Sequence, residues 1–363
     1  MTIHDVAARA GVSVATVSRV LNGKELVRAE TSRQVMEVAK SLRYVPNVAA
    51  RTLSIRRSQT IGIVLPEVHG EFFSEVIRGI DLAARAAGYH ILVSGSHSDA
   101  REMIDVLDAM RGRVDGLVVM APDVTLAPLR DQLAHKLPMV LLNSDDDRHP
   151  AITIDNYGGA RTMMRHLASL GHKRIAFIQG PEQNGDARER LRGYRQVMRS
   201  LVKRGAGSGE QGAAPSSELR SPSYLRELEI EGDFTERAGY DAVKPLLALD
   251  PPPTAIFAAN DSMAIGALSA LAAEGVGVPR AMSLAGFDDI PIAHYVNPPL
   301  TTIGVDIAEL GRRAFAVLVD AMEHNTNPRR EECIATTLVV RQSCAVPNSR
   351  TYKLRGRKKG EGS

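Results

Sequence analysis

Apolar residues near the start of the chain recur on a helical period. Ile3, Val6, Ala7 and Ala10 fall at three- and four-residue intervals, Gly11 interrupts them, and Val17, Val20 and Leu21 resume the pattern. This predicts two short helices joined by a tight turn. Thr2 with Asp5 three residues on predicts a capping box, and Ser13 a cap for the second helix. Gly11 suits the turn because a residue without Cβ takes positive φ freely, and Ala7 is small enough to let the helices approach. A third helix follows with Val35, Val38, Ala39 and Leu42 on one face, for which Thr31 and Gln34 predict a capping box. The second helix leaves Val14, Ala15, Ser18, Arg19 and Asn22 outward, all short or cationic, with no acid among them. A DNA major groove admits such a face, and Arg19 can bond a guanine edge bidentately. A plain helical hairpin with a solvated face is the blander alternative.

Beyond Tyr44-Val45-Pro46-Asn47, residues 48–53 (VAARTL) read as a short helix that Asn47 can cap, and Arg56, Arg57 and Ser58 read as a linker. Six residues cannot hold a helix alone in water, because nucleation is costly and little is buried. The segment therefore folds only where something holds it, or it is a plain linker. On DNA, Arg51 would neutralise a phosphate and the apolar Leu53 could wedge into the minor groove.

From Ile61 the texture becomes βαβ. Apolar runs at 61–65, 90–94, 116–120 and 139–143 predict buried strands, with helices at about 73–87, 99–111 and 125–135. A second series has strands near 152–154, 174–179, 228–231, 255–260 and 282–287, with helices near 157–170, 186–203, 235–248 and 261–274. This rhythm predicts an α/β core of two lobes, each a doubly wound parallel sheet covered by helices on both faces, behind the all-α head. Ligands in such sheets sit at the carboxyl ends of the strands, so a cleft between the lobes is the expected site.

Charge sharpens the division. Residues 1–57 carry ten Lys/Arg against four Asp/Glu and residues 351–363 five against one, whereas 58–350 carry thirty against thirty-seven. A basic head on an acidic body points to a polyanion bound at one end. The two cysteines, Cys333 and Cys344, fit a reducing compartment better than a disulfide framework, no apolar run reaches the length of a membrane span, and the amphipathic N-terminus with Arg9 inside it is unlike a signal peptide. A cytoplasmic protein with no membrane partner is expected. Residues 205–223 contain Gly207-x-Gly209-x-x-Gly212, but a basic helix end precedes it and a Pro/Ser-rich run follows, so a surface loop explains it better than a dinucleotide site. Strand 61–65 runs into Pro66-Glu67-Val68 with no glycine fingerprint, and neither a GxSxG elbow nor HExxH occurs, so no cofactor, metal or catalytic site is expected and the chain does not read as an enzyme.

Together these segments resemble the lactose and galactose repressor family of bacterial transcriptional regulators, from about Thr2 to Pro347. The motifs that carry the likeness are DVAARAGVSVATVSRVLNG, YVPNVAARTL, FFSEVIRGI, LGHKRIAFIQGP, RERLRGY, EGDFT, AANDSMAIGAL, SLAGFDD, PPLTTI and LVVRQS. The resemblance implies a helix-turn-helix head at 1–46, a hinge helix and linker at 47–60, a first lobe of 61–155 with about 306–334, a second of 156–305 with about 335–345, and a basic tail at 346–363. The lobes would form a core similar to periplasmic binding proteins. By position, Val14, Ala15 and Arg19 would read bases, Thr2, Ser13, Thr16, Ser18 and Asn22 would contact phosphates, and Leu53 would intercalate. Phe72, Phe73, Asn143, Arg190, Phe234, Asn260 and Asp288 would hold a small-molecule effector, a sugar, a sugar phosphate or a purine. At Phe234 the lactose repressor places a larger aromatic, so the ligand need not be a galactoside. The expected partners are double-stranded operator DNA, the effector and a second copy, a homodimer because the tail lacks the leucine heptads of a tetramerising coil. A periplasmic-type sugar receptor without regulatory DNA binding is the alternative.

Overall fold

The computed structural model describes residues 1–21, 27–44, 57–124, 137–144, 149–205, 226–324 and 331–348. The proposed readers Asn22, Arg51 and Leu53, the predicted helices near 47–53 and 125–135, the loop after 205 and the tail from 351 lie outside the described residues. By contacts the chain separates into two compact units, residues 1–60 with 112–115, and 61–111 with 116–363.

The first unit holds α1 (Ile3–Ala10), α2 (Val14–Leu21) and α3 (Ala29–Ser41). The capping box forms as the spacing predicts: the Asp5 N–H donates to Thr2 Oγ1 at 3.4 Å, and the Thr2 N–H donates to the Asp5 carboxylate at 2.7 Å. Gly11 ends α1 at φ 63°, ψ 29°, its N–H turned back to the Ala7 and Ala8 carbonyls. Ser13 Oγ accepts from the Thr16 N–H at 3.1 Å and so starts α2. Val6, Val17 and Val35, one from each helix, are fully buried at the centre. The predicted box at Thr31 and Gln34 does not form. α3 starts three residues earlier than that box would place it, at Ala29 with Arg28 before it and no side-chain cap, where Val27 packs against the helical core. Gln34 Nε2 instead donates to the Ala10 carbonyl at 3.2 Å, satisfying one of the acceptors that α1 leaves at its end.

The second unit contains two six-stranded sheets. The strands are β1 (Thr60–Leu65), β2 (His90–Gly95), β3 (Gly116–Met120), β4 (Met139–Leu142), β5 (Ala151–Ile154), β6 (Ile175–Ile178), β7 (Glu229–Ile230), β8 (Ala255–Ala258), β9 (Ser283–Asp288), β10 (Thr301–Gly304), β11 (Glu331–Ile334) and β12 (Thr337–Val339). The first sheet runs β11-β5-β4-β3-β1-β2 and the second β12-β10-β9-β8-β6-β7. The helices are α4 (Glu71–Ala86), α5 (Ala100–Met110), α6 (Asn156–Ser169), α7 (Gly185–Gly205), α8 (Glu236–Leu247), α9 (Asp261–Ala273) and α10 (Ile307–His324). β1, β3, β4, β8 and β9 are buried almost throughout, as strands covered on both faces must be.

Two details depart from a pair of purely parallel sheets in simple tandem. Strand 151–154 pairs with β4 and β11 and so closes the first sheet, although the strand pattern had it open the second series. β12 lies antiparallel on β10 as an edge strand. The chain leaves β11 in the first sheet and re-enters the second within two residues, too short for the helical crossover that a parallel strand needs. It passes between the sheets after β5, after β10 and after β11. Two of these crossings touch: the Asp155 N–H donates to the Ile334 carbonyl at 3.0 Å and Thr336 Oγ1 to the Asp155 carbonyl at 3.5 Å.

Close helix contacts in the second lobe depend on glycine. A Cβ on Gly266 of α9 would meet the Glu236 carbonyl of α8, and one on Gly239 of α8 would meet the Met263 carbonyl of α9. The paired absences let two helix backbones touch and fix where α9 begins.

Candidate functional site

On the head, α2 exposes Ala15 and Arg19, while Thr16 and Ser18 are half-buried at its flank. Val14 is half-buried and packs on the helical core, so only part of its side chain faces outward. Ser13 and Thr16 share a hydroxyl hydrogen bond of 2.9 Å, and Thr2 is bound to Asp5. The capping side chains therefore hold both helix starts. Backbone N–H groups at such starts attract anions. Small side chains and one arginine on the outward face leave room for a groove wall.

The second unit carries a cavity of about 520 Å³ at the carboxyl ends of both sheets, where the fold rule expects a ligand. Phe72 and Phe73 enter it from the first turn of α4, set edge to face at a centroid distance of 5.5 Å. Asn143, which follows β4, and Asp288, the last residue of β9, lie in the wall with Arg190 of α7 and Phe234. Asn143, Phe234 and Asp288 all have left-handed backbones, at φ 47°, 70° and 107°. Each such position costs about 1–3 kcal/mol and is kept only where the surroundings over-determine it. Three in one wall point to a built site.

Arg190 organises the interior. Its Nη2 pairs with the Asp288 carboxylate at 2.9 Å with both side chains buried, Nε donates to Asn156 Oδ1 at 2.7 Å, and Nη1 donates to the Ala259 carbonyl at 2.6 Å. The guanidinium lies 3.8 Å from the Phe287 ring centre and 5.8 Å from that of Phe234. Asn156, the first residue of α6, also donates through Nδ2 to Asp186 Oδ1 at 2.8 Å. The result is a chain Asp186, Asn156, Arg190, Asp288 that runs beside the crossing at residue 155. Burial pushes the Asp186 carboxyl up to about 7; Arg190 opposes the rise, and Asp288 and Asp123 add to it. Burial likewise raises Asp288, against the pull of Arg190.

Contacts from both lobes close the mouth. Asn184 Nδ2 donates to Asp123 Oδ1 at 2.8 Å, the Gly185 N–H donates to the Pro122 carbonyl at 3.1 Å, and the Ile292 N–H donates to Glu71 at 2.9 Å. Asp123 also accepts from Ser98 at 2.9 Å. Among the described residues, no cluster of His, Cys, Asp or Glu has the arrangement of a metal site, and no helix is long and apolar enough to cross a membrane.

Six of the seven expected effector residues line this cavity, and Asn260 does not. Its Oδ1 accepts from the Met263 N–H at 2.9 Å, capping α9, and its Nδ2 donates to the Phe234 carbonyl at 3.0 Å. Asn260 therefore holds the backbone that presents Phe234 and stands outside the cavity lining. The ring itself lies over Gly180, where a Cβ would strike it. Sequence reasoning missed Asp123, Asn156, Asn184 and Asp186. Asp123 lies three residues beyond the end of β3 and Asn156 two beyond that of β5, so the strand-end rule could have found them. Asn184 and Asp186 open a helix otherwise marked only by its basic residues.

A model of bacterial regulatory proteins of the lacI family matches residues 2–47, and a model of the periplasmic binding protein-like domain matches residues 164–344. The chain is 34% identical to the HTH-type transcriptional repressor CytR of Escherichia coli (strain K12) over 325 residues, 89% of this chain and 90% of that protein. It is 35% identical to the HTH-type transcriptional regulator GalS of Salmonella typhimurium over 350 residues, 95% and 97% of the two. Among solved structures, the lac repressor dimer bound to operator and the anti-inducer ONPF superimposes with a TM-score of 0.81 at 28% identity, covering 95% of this chain and 99% of that one.

Proposed function

This chain belongs to the lacI family of bacterial regulatory proteins, and from that premise we propose how its described surfaces divide the work of a repressor. It is a sequence-specific DNA-binding transcriptional regulator that works as a dimer on operator DNA under the control of a small molecule. In the proposed division, the two heads of a dimer enter successive major grooves of a pseudo-palindromic operator. Arg19 reads a guanine, Ala15 and the exposed part of Val14 meet thymine methyls, and Ser13, Thr16, Ser18, Thr2 and Asn22 hold phosphates. Arg51 and Leu53 act in the hinge, as a phosphate contact and a minor-groove wedge; that assignment rests on their match to the family's hinge motif.

The effector enters the cavity between the lobes, stacks on Phe72, Phe73 and Phe234, and bonds to Asn143, Arg190 and Asp288. The observation that carries this reading is the buried Arg190–Asp288 pair at 2.9 Å, set among three strained backbones at the ends of both sheets. Its neighbour Asn156 opens the helix that follows a lobe crossing, so a ligand that shifts Arg190 shifts the crossing too. Operator binding and effector binding must then change each other by one common factor.

The test uses the full chain. Duplexes selected from a random pool are titrated by fluorescence anisotropy, with and without small molecules that stabilise the protein against heat. A selected sequence bound at least ~1,000-fold more tightly than random duplex, with that ratio shifted by a stabilising ligand, supports the reading. Equal binding to selected and random duplexes, or ligands that bind the cavity without altering operator affinity, would overturn it.

A further inference from the structure

Among the described residues, the charges in the cavity wall are one-sided. Its wall carries the carboxyl groups of Glu67, Asp123, Asp186, Asp233 and Asp288. Among the described residues, the arginine in that wall is Arg190, engaged with Asp288 at 2.9 Å, and the exposed His69 lies 3.3 Å from Glu67. A phosphate or carboxylate ligand would enter against this field and would share Arg190 with Asp288.

An independent feature points the same way. Asn143 is 6% exposed, lies in the wall, and its Oδ1 has no hydrogen-bond partner. Asp186 accepts a hydrogen bond from Asn156, and among the described residues no cation lies within salt-bridge distance of it. Among the described residues, the wall thus has more carboxyl groups than cations and an acceptor without a partner. Its three phenylalanine rings can cover the apolar face of a sugar and also attract a cation. About 520 Å³ suits a molecule of mono- or disaccharide size.

We propose that the effector is a small polyhydroxyl compound bearing a protonated amine, the chemistry of an amino sugar, with its ammonium group held by Asp186 in the shared field of Asp123 and Asp288. The inference rests on reading this cavity as the effector site. Asp186 also makes the preference depend on pH. The groups that face it are Arg190 on α7, Asp288 at the end of β9, Asp123 after β3, and the neutral Asn156 at the start of α6. Burial holds its carboxyl up at about 7, so an arriving ammonium draws it into the ionised form and a proton leaves.

Glucosamine, galactosamine and mannosamine, each beside its parent hexose, its N-acetyl derivative and its 6-phosphate, are titrated calorimetrically into the full chain. At about pH 7.5 at least one amino hexose should bind ~10-fold or more tightly than its parent and its N-acetyl form. That advantage should shrink several-fold at about pH 6, as Asp186 takes up its proton. Repeating the titration at about pH 6, where Asp186 is mostly protonated and the amine already charged, in buffers of different ionisation heat should show proton release on binding, a readout that needs no variant. Asp186→Asn should abolish the advantage, and Asp186→Glu should keep part of it. The proposal is overturned by amino hexoses that gain nothing over their parents or do not bind, by a 6-phosphate that binds more tightly, by binding without proton release, or by an advantage that survives in D186N. A neutral or phosphorylated sugar that binds and changes operator affinity would sink the charge assignment and leave the effector reading standing. An amino sugar that binds as described without touching operator affinity would do the reverse.

Discussion

Asn260 separates two ways in which a residue can matter to a ligand. Its Oδ1 caps α9 through the Met263 N–H and its Nδ2 clamps the Phe234 carbonyl, so both ends of the amide are used inside the protein. Asn260→Ala removes a cap worth about 1 kcal/mol and a hydrogen bond worth about 1 kcal/mol. At roughly 2–4 °C per kcal/mol, the larger unit should melt about 4–8 °C lower. Asn260→Ser keeps an oxygen for the Met263 N–H but is too short to reach Phe234, so it should recover about half of that loss. Both variants should weaken effector binding alike, by about fivefold, because both release the backbone that holds Phe234 at φ 70°.

The decisive measurement is a double-mutant cycle on effector affinity. If Asn260 acts through the Phe234 ring, Asn260→Ser should cost little once Phe234→Ala has removed that ring, and the double variant should bind like F234A alone. Losses that add fully would place the Asn260 amide against the ligand, as its position in the family motif implied, and would refute the clamp.

Three further outcomes follow from particular contacts. Arg19→Ala should weaken binding to the selected operator by ~1–3 kcal/mol while leaving salt-sensitive binding to random duplex; anisotropy on both duplexes reads the difference, and unchanged operator affinity removes Arg19 from the readers. Gly11→Val puts a β-branched side chain at φ 63°, which should cost about 1–3 kcal/mol and lower operator affinity while effector affinity, measured on the same sample, stays put; unimpaired operator binding would mean the turn tolerates a Cβ. Asp186 has a folded-state pKa raised from 3.8 to about 7, so the stability associated with its proton is complete below about 4 and is lost as pH rises through about 7, by up to about 4 kcal/mol. Denaturant unfolding of unliganded protein across that window should show the decline, Asp186→Asn should flatten it, and a D186N profile that parallels the parent would assign the decline to other groups.

What the sequence disclosed follows the range of the forces involved. The head was legible almost to the atom because its signals are local: Thr2 with Asp5, Gly11 and Ser13 each act within four residues. Where a tertiary contact competed, local reading failed, as at Thr31 and Gln34, whose apparent box gave way to the packing of Val27 and the reach of Gln34 to Ala10. The sheets were legible from buried apolar runs, but β10, β11 and β12 passed unread, the last two because they are short and largely exposed on one side. The position of Asn260 outside the cavity lining has a different origin. Placement by family motif gives a neighbourhood and not a direction, whereas an asparagine just before a helix is itself a capping signal that points away from the cleft. Asp186 marks the limit of such reading. Its proton affinity depends on Asp123 and Asp288, which stand sixty-three residues before it and one hundred and two after it, and whose convergence no spacing encodes. A cavity's ligand polarity belongs to that second kind of property. Two relatives can therefore share every motif quoted above and still answer to molecules of opposite charge, so effector identity has to be read from the assembled field and not from the likeness of the chains.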